Sequence, residues 1–284
     1  MNSTLVSSTL TVDRAGYQLH VKIDGQGTPL LIVGSATYYD RVIPRQLRKH
    51  FQCIFIDHRG FAPSRYIPKA SDISLETISL DIEHIRQQLG IQQAIIMGHS
   101  GHAYMALDYA KRFPASVTKI VLCGASPNLS SASHQAAELY WENSACDLRK
   151  AQFLNDISQL ESDIRSDPDR KFVHICCRLR AKRWANHGYD ETWLWEELTT
   201  HSVLFDRMWG EVFAKIDISQ YTSAIQVPVL IMMGEKDFSI PRPSEWLALP
   251  QPFPHQTLYV FNHSGHTPPL EEPERFTQIL KSWA

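Results

Sequence analysis

No stretch of this chain approaches the roughly 20 consecutive apolar residues that a bilayer-spanning helix needs. Charge of one sign is also missing. Lys and Arg number 28 against 30 Asp and Glu, for a formal net charge of −2, so no global field recruits nucleic acid or an anionic membrane. Cysteine is scarce: five residues, an odd number, without metal-ligand spacing. Cys53 and Cys123 lie in apolar runs as small core residues, and the adjacent Cys176 and Cys177 point to different helix faces, so no bridge is expected. Met1 to Thr11 has neither the basic start nor the apolar core of a secretory leader. Together these absences predict a reduced, cytoplasmic setting with no membrane partner and no nucleic-acid partner. Repeats and low-complexity tracts are absent too.

What remains is the composition of a folded protein, 43% hydrophobic and 20% charged over 284 residues, enough to bury a sizeable core. Short apolar runs predict strands over 10–12, 18–23, 29–33, 53–56, 94–97, 119–123, 229–233 and 257–260. Helical patterns such as 75–89 and 104–113 fall between them. This alternation predicts an α/β fold with a doubly wound, mostly parallel eight-stranded sheet. A hairpin around Arg14-Ala15-Gly16 gives it an antiparallel edge. The alternation breaks over 126–226, which has no convincing strand and carries Trp141, Trp184, Trp193, Trp195 and Trp209. Helices are predicted there around 133–145, 148–163, 169–185, 191–205 and 210–215.

Chemistry enters at Gly98-His99-Ser100-Gly101-His102, between a buried strand run and a helix. This is the G-x-S-x-G pattern of a sharp strand-to-helix turn, with His102 in place of the last glycine. A serine hydroxyl is a weak nucleophile without a base, so the turn needs partners further along. The strand run 229–233 ends in Gly234-Glu235-Lys236-Asp237, and the run at 257–261 leads into Asn262-His263-Ser264-Gly265-His266. Ser100, Asp237 and His266 thus follow one another in the order nucleophile, acid, base. His266 would take the serine proton, and Asp237 would hold the imidazole tautomer. Glu235 and His263 are the nearest competitors. The N–H of Gly101, directly after the nucleophile, is the first candidate donor to an oxyanion.

At these residues the chain resembles the α/β-hydrolase superfamily. Asp57-His58-Arg59-Gly60-Phe61-Ala62-Pro63-Ser64 adds to the resemblance, matching a D-x-R-G-x-G-x-S loop with Ala62 for the usual glycine. Within the superfamily it looks most like small esterases and prolyl-aminopeptidase-like hydrolases. The resemblance implies a core of residues 1–125 and 227–284, with a helical cap, 126–226, inserted after the sixth strand. It also implies a second oxyanion donor from Val33-Gly34-Ser35-Ala36, where Val33 replaces the family histidine. Aligning Gly34 with the family glycine selects Ser35, with Ala36 one register away. Neither a cofactor nor a metal is implied. Tyr38, Tyr39 and His102 are candidate pocket residues, and Tyr140, Trp141 and Trp184 are candidate roof residues.

The expected substrate is a small carboxylic ester. The alternative is a short peptide-like substrate, for which Glu142, Glu196 and Glu197 would have to bind an α-amine. The elbow and oxyanion loop typical of the aminopeptidases are absent here. Lactone or carbon–carbon bond hydrolysis on the same triad stays open, as does a non-catalytic hydrolase-fold receptor. The basic run Arg178-Leu179-Arg180-Ala181-Lys182-Arg183 is expected to be a solvated helix face.

Overall fold

The structure, a computed structural model, describes residues 7–284. The first six residues, part of the stretch read for a leader and of the expected core, lie outside the described residues. All eight expected strands form: β1 (Ser7–Arg14), β2 (Tyr17–Gly25), β3 (Thr28–Gly34), β4 (Phe51–Asp57), β5 (Ala94–His99), β6 (Val117–Cys123), β7 (Val229–Gly234) and β8 (Gln256–Phe261). They make one sheet in the order β1-β2-β4-β3-β5-β6-β7-β8. β1 pairs antiparallel with β2 across the Ala15-Gly16 turn, and β2 also runs antiparallel to β4. Every other pairing is parallel.

The apolar runs are continuous because the central strands are covered on both faces. β5 and β7 are buried throughout, whereas the edge strand β1 is mostly exposed. Alternate residues feed two separate cores. Ile54, Ile96, Leu122 and Ile231 pack with Ile78, Ile82 and Ile85 of one helix and with the helix that follows β5. Phe55, Met97, Val121 and Met232 pack with Val42, Phe276 and Leu280 on the opposite face. The helices concerned are α1 (Ala36–Val42), α2 (Leu75–Gln88), α3 (His102–Arg112) and the terminal Pro273–Trp283. α2 starts where the Ser74 side chain accepts from the Thr77 N–H at 3.0 Å, and Phe113 and Pro114 end α3.

Between β6 and β7 the described residues contain no named strand. The segment runs through α4 (Ser131–Ser144), α5 (Asp147–Ile157), α6 (Leu160–Ser166), α7 (Lys171–Arg178), α8 (Arg180–Arg183), α9 (Ser202–Phe205) and α10 (Ser219–Thr222). Two expected helices are broken in two, at 158–159 and near Leu179, and a third does not form. The 191–205 stretch is instead one 3-10 turn, Thr192–Trp195, followed by a turn and irregular chain and then α9. Glu191 is drawn into the interior by three donors, and Glu197 adopts a left-handed φ of 63°; neither fits an amphipathic helix. The stretch at 210–215 joins a π-helical turn, Asp206–Val212, to a 3-10 turn.

The basic run 178–183 also departs from expectation. Lys182 and Arg183 are buried, and Arg178, Arg180, Lys182 and Arg183 pair with Asp163, Asp156, Glu138 and Glu191. It is an ion-pair seam that runs from the surface to the buried Arg183–Glu191 pair.

Gly98, near the end of β5, lies directly against the start of α3: a Cβ there would sit 2.2 Å from the His102 carbonyl oxygen. Gly98→Ala is therefore expected to lower the unfolding free energy by about 3 kcal/mol or more, since backbone cannot yield as a side chain does. A urea titration of the variant beside the parent checks this.

Candidate active site

The end of β5 turns sharply into α3, and Ser100 sits at the corner with φ of 57°. A left-handed φ at a non-glycine residue costs of order 1–3 kcal/mol. The turn is held by the Ser100 N–H, which donates to the Cys123 carbonyl at the end of β6 at 2.8 Å. The serine stands at the N-terminus of the eleven-residue α3, where the helix dipole favours developing negative charge.

Asp237 lies just beyond β7 and His266 just beyond β8. Asp237 is 1% exposed, and its Oδ2 is 2.6 Å from His266 Nδ1. Its other oxygen accepts from the Ser239 N–H at 3.0 Å and from the Ser239 hydroxyl. Both carboxylate oxygens are thus engaged and the ring is oriented. Ser100 and His266 line the same cavity, of about 360 Å3. The two competitors lie elsewhere. Glu235 is exposed and its carbonyl accepts from the Tyr140 hydroxyl, and His263 is exposed with its N–H on Glu272.

The backbone around His266 is clamped by the segment between β6 and β7. The His266 N–H donates to the Arg183 carbonyl at 2.5 Å, and the Phe238 N–H, next to Asp237, donates to the Lys182 carbonyl at 2.8 Å. Glu271, in helix α11 (Pro268–Glu271), accepts from the Ala185 N–H at 2.8 Å and from the Gly265 and Thr267 N–H groups at 3.0 and 3.1 Å. Burial raises the Glu271 carboxyl above its ordinary pKa, against those three N–H groups that favour the anion.

The loop after β3 carries the second expected oxyanion donor. Gly34 has φ of 148°, and a Cβ there would fall 2.2 Å from the Tyr39 ring. The same gap explains the histidine at the last elbow position. The His102 ring lies 3.1 Å from that vacant Cβ site, in space that a side chain at 34 would otherwise claim. The Ala36 N–H donates to Asp57 Oδ1 at 2.6 Å. The Ser35 side chain caps α1 by accepting from the Tyr38 N–H at 3.3 Å.

Tyr38, Tyr39, His102 and Ser35 line the cavity; Tyr140, Trp141 and Trp184 do not, which corrects their expected place in the roof. Tyr140 and Trp141 pack on Phe238, with ring centroids 5.0 and 5.7 Å away. Trp184 donates its indole N–H to Glu191 at 2.7 Å and packs on Tyr189. The apolar wall is instead Phe61, Phe172, Trp195 and Trp209. Trp209 comes from the π-helical turn, which rotates its ring onto Phe172, at 4.9 Å, and against His102, at 5.5 Å. The concentration of tryptophan in 126–226 signalled such a wall. Which tryptophans face inward depends on breaks in helical phase that periodicity does not reveal.

The alpha/beta hydrolase fold family matches residues 32–273. Over 268 residues the chain is 38% identical to the AB hydrolase superfamily protein YclE of Bacillus subtilis (strain 168), spanning 94% of this chain and 95% of that one. The chain belongs to the α/β-hydrolase family. It is also 22% identical to a proline iminopeptidase of Heyndrickxia coagulans over 272 residues, 90% of each chain. The esterase EaEST from Exiguobacterium antarcticum superposes with a TM-score of 0.65 at 22% identity, covering 94% of this chain and 95% of that one. No helix among the described residues is long and apolar enough to cross a membrane.

Three histidines beside the elbow are buried. Burial pushes His58 down to about 3 and holds His99 and His102 well below the ordinary 6.5. Depressed values mean that the unfolded chain binds the extra protons. Their contribution to stability is therefore complete above about pH 6.5 and is lost as pH falls toward the folded values. Each of the three adds to the acid-side fall in stability inside that window. Urea unfolding between pH 4 and 7 is expected to show this acid limb, and replacing His58 by Gln to make it shallower.

Proposed function

We propose that this hydrolase cleaves small carboxylic esters through an acyl-enzyme on Ser100. The observation that carries the proposal is the left-handed Ser100 sharing one cavity with His266, whose Nδ1 meets Asp237 at 2.6 Å. His266 accepts the Ser100 proton as the hydroxyl oxygen attacks the ester carbonyl. Charge develops on the carbonyl oxygen, and the N–H groups of Ser35 and Gly101 stabilise it. Collapse of the tetrahedral species expels the alkoxide, which takes the proton from His266. Water then enters and attacks the acyl carbonyl while giving one proton to the same imidazole; collapse breaks the bond to Ser100 Oγ, which takes that proton back from His266 as the carboxylic acid leaves. Asp237 stays ionised and favours the imidazolium formed in each half-reaction.

The helical segment 126–226 serves as a cap that shapes the substrate cavity. Its aromatic side chains exclude water from the reacting centre and receive the apolar part of the ester. Through Lys182, Arg183 and Ala185 it is also tied to the loops of Asp237 and His266, so it forms part of the catalytic frame as well as a cover. Five free cysteines agree with a cytoplasmic location.

The likeness to a proline iminopeptidase keeps an aminopeptidase as the second reading. A bound α-ammonium, stripped of water, requires a carboxylate beside it. Among the described residues no Asp or Glu lines the cavity. Glu142 pairs with Lys150 at the surface, and Glu196 and Glu197 are exposed. Glu191 is committed to Arg183, Trp184 and Trp195. These observations favour the ester.

Short p-nitrophenyl esters and prolyl p-nitroanilide, assayed in parallel with Ser100→Ala as control, test the choice. Ester turnover is expected, with the arylamide left intact and activity down about 10⁴-fold or more in Ser100→Ala. Preferential arylamide cleavage would reverse the order of the readings. Trp209→Ala is expected to raise KM for a longer or aromatic acyl ester while leaving the acetate nearly unchanged. An equal loss on every ester would assign Trp209 to support of the elbow.

A further inference from the structure

Four buried side chains next to the elbow, His58, His102, Tyr39 and His99, stand in a line that ends on the backbone of His266. Three backbone groups fix their proton positions. The Gly60 N–H, which can only donate, points at His58 Nδ1 from 2.9 Å. His58 Nδ1 must therefore be an unprotonated acceptor, and the neutral ring carries its proton on Nε2. The His99 carbonyl, which can only accept, lies 3.2 Å from His102 Nδ1, so that nitrogen carries the proton. The His266 carbonyl, also only an acceptor, lies 2.7 Å from His99 Nε2, so the His99 proton is on Nε2.

With those three tautomers set, every remaining contact is matched without further choice. His58 Nε2–H donates to the lone pair of His102 Nε2 at 3.3 Å. His102 Nδ1–H donates to the Tyr39 oxygen at 2.8 Å, in a shared bond with the His99 carbonyl. The Tyr39 hydroxyl donates to His99 Nδ1 at 3.2 Å. Four protons serve four successive links: His58 to His102, His102 to Tyr39, Tyr39 to His99, and His99 to the His266 carbonyl. An added proton finds no acceptor on His58 or His102, and on His99 it breaks the direction of the chain. On His58 it would face the Gly60 N–H, and on His102 it would face the proton of His58. On His99 it would face the Tyr39 hydroxyl, leaving that group to turn to the His99 carbonyl at 3.5 Å.

We propose that His58, His102, Tyr39 and His99 form one uncharged, unidirectional hydrogen-bond relay that fixes the His266 backbone, making Tyr39 and His102 positioning residues for the base. This rests on the assignment of His266 as the base in the preceding section. The relay explains why the elbow carries His102 where a small residue is usual. His102 joins the Asp57–Gly60 loop to the tyrosine on α1, and thereby to the loop after β8. Networks of this kind are worth more than their separate bonds, because each donor polarises the next. The imidazole of His266 receives Asp237 at one nitrogen, while the relay and the Arg183 carbonyl hold its main chain from two sides.

Long-range ¹H–¹⁵N NMR of histidine-labelled protein reads the tautomers directly. The relay requires Nε2–H on His58 and His99 and Nδ1–H on His102, unchanged between pH 6 and 9. Any other set, or a cationic ring among the three, overturns it whether or not the protein hydrolyses esters. Tyr39→Phe removes one oxygen from a buried ring. It is expected to perturb the His99 and His102 signals and to lower kcat by on the order of tenfold with KM changed little, as expected for a displaced base. His102→Asn keeps a donor near Nδ1 and is expected to retain most of kcat, whereas His102→Phe loses it. Unchanged ring signals and kcat in Tyr39→Phe, or equal losses in the two His102 variants with their urea midpoints preserved, would reduce these residues to packing. Failure of Ser100→Ala to lose activity would instead remove the catalytic reading and leave the tautomer result standing.

Discussion

The geometry of the site depends on the placement of one imidazole. His266 follows β8 in a loop that has no regular structure of its own, yet its ring and chain are held at several points. Asp237 takes Nδ1 at 2.6 Å, the Arg183 carbonyl takes the N–H at 2.5 Å, and His99 donates to the carbonyl at 2.7 Å. Glu271 adds bonds to the N–H groups on either side, at Gly265 and Thr267. A loop on its own would sample many orientations, and proton transfer from a serine tolerates little displacement. These bonds come from β5, from the end of α8 and from α11, so the imidazole is fixed by parts of the chain far apart in sequence.

That requirement gives the helical segment two tasks at once. Its Lys182–Ala185 stretch bonds to both loops that carry Asp237 and His266, while Phe172, Trp195 and Trp209 line the cavity that Ser100 also lines. Removing water strengthens the electrostatic terms on which the proposed chemistry relies. It also requires that buried charge be matched. Glu191, 1% exposed, is matched by Arg183 and two indole N–H groups. Arg183 reaches the cavity already paired with Glu191, and among the described residues no Asp or Glu lines the space around Ser100, which suits an uncharged ester better than an ammonium.

How far this was legible in the sequence follows from what each signal measures. A strand buried on both faces must be a continuous apolar run, which marked central strands such as β5 and β7, whereas the largely exposed β1 was marked with β2 by the turn at Ala15-Gly16. The elbow, Asp237 and His266 were marked because strand-end loops carry chemistry-bearing side chains at fixed places in chain order. The helical segment 126–226 was legible only as a region. Its helices break where single polar contacts outweigh periodicity, as at Glu191, and the π-helical turn alters the phase that decides whether Trp209 points in or out. Tyr140, Trp141 and Trp184 looked equally suitable as a roof, and only their partners Phe238, Glu191 and Tyr189 distinguish them. The basic run at 178–183 misled for a related reason, since its acids come from α4, α5, α6 and the Glu191 turn, distant in sequence.

The central claim is that Ser100 is a nucleophile activated by His266. Labelling the folded protein with a fluorophosphonate and mapping the adduct by peptide mass spectrometry tests it most directly. The account predicts a single adduct on Ser100, absent from Ser100→Ala and strongly slowed in His266→Ala. A folded protein that stays unlabelled, or one labelled at another residue with Ser100 untouched, would contradict it.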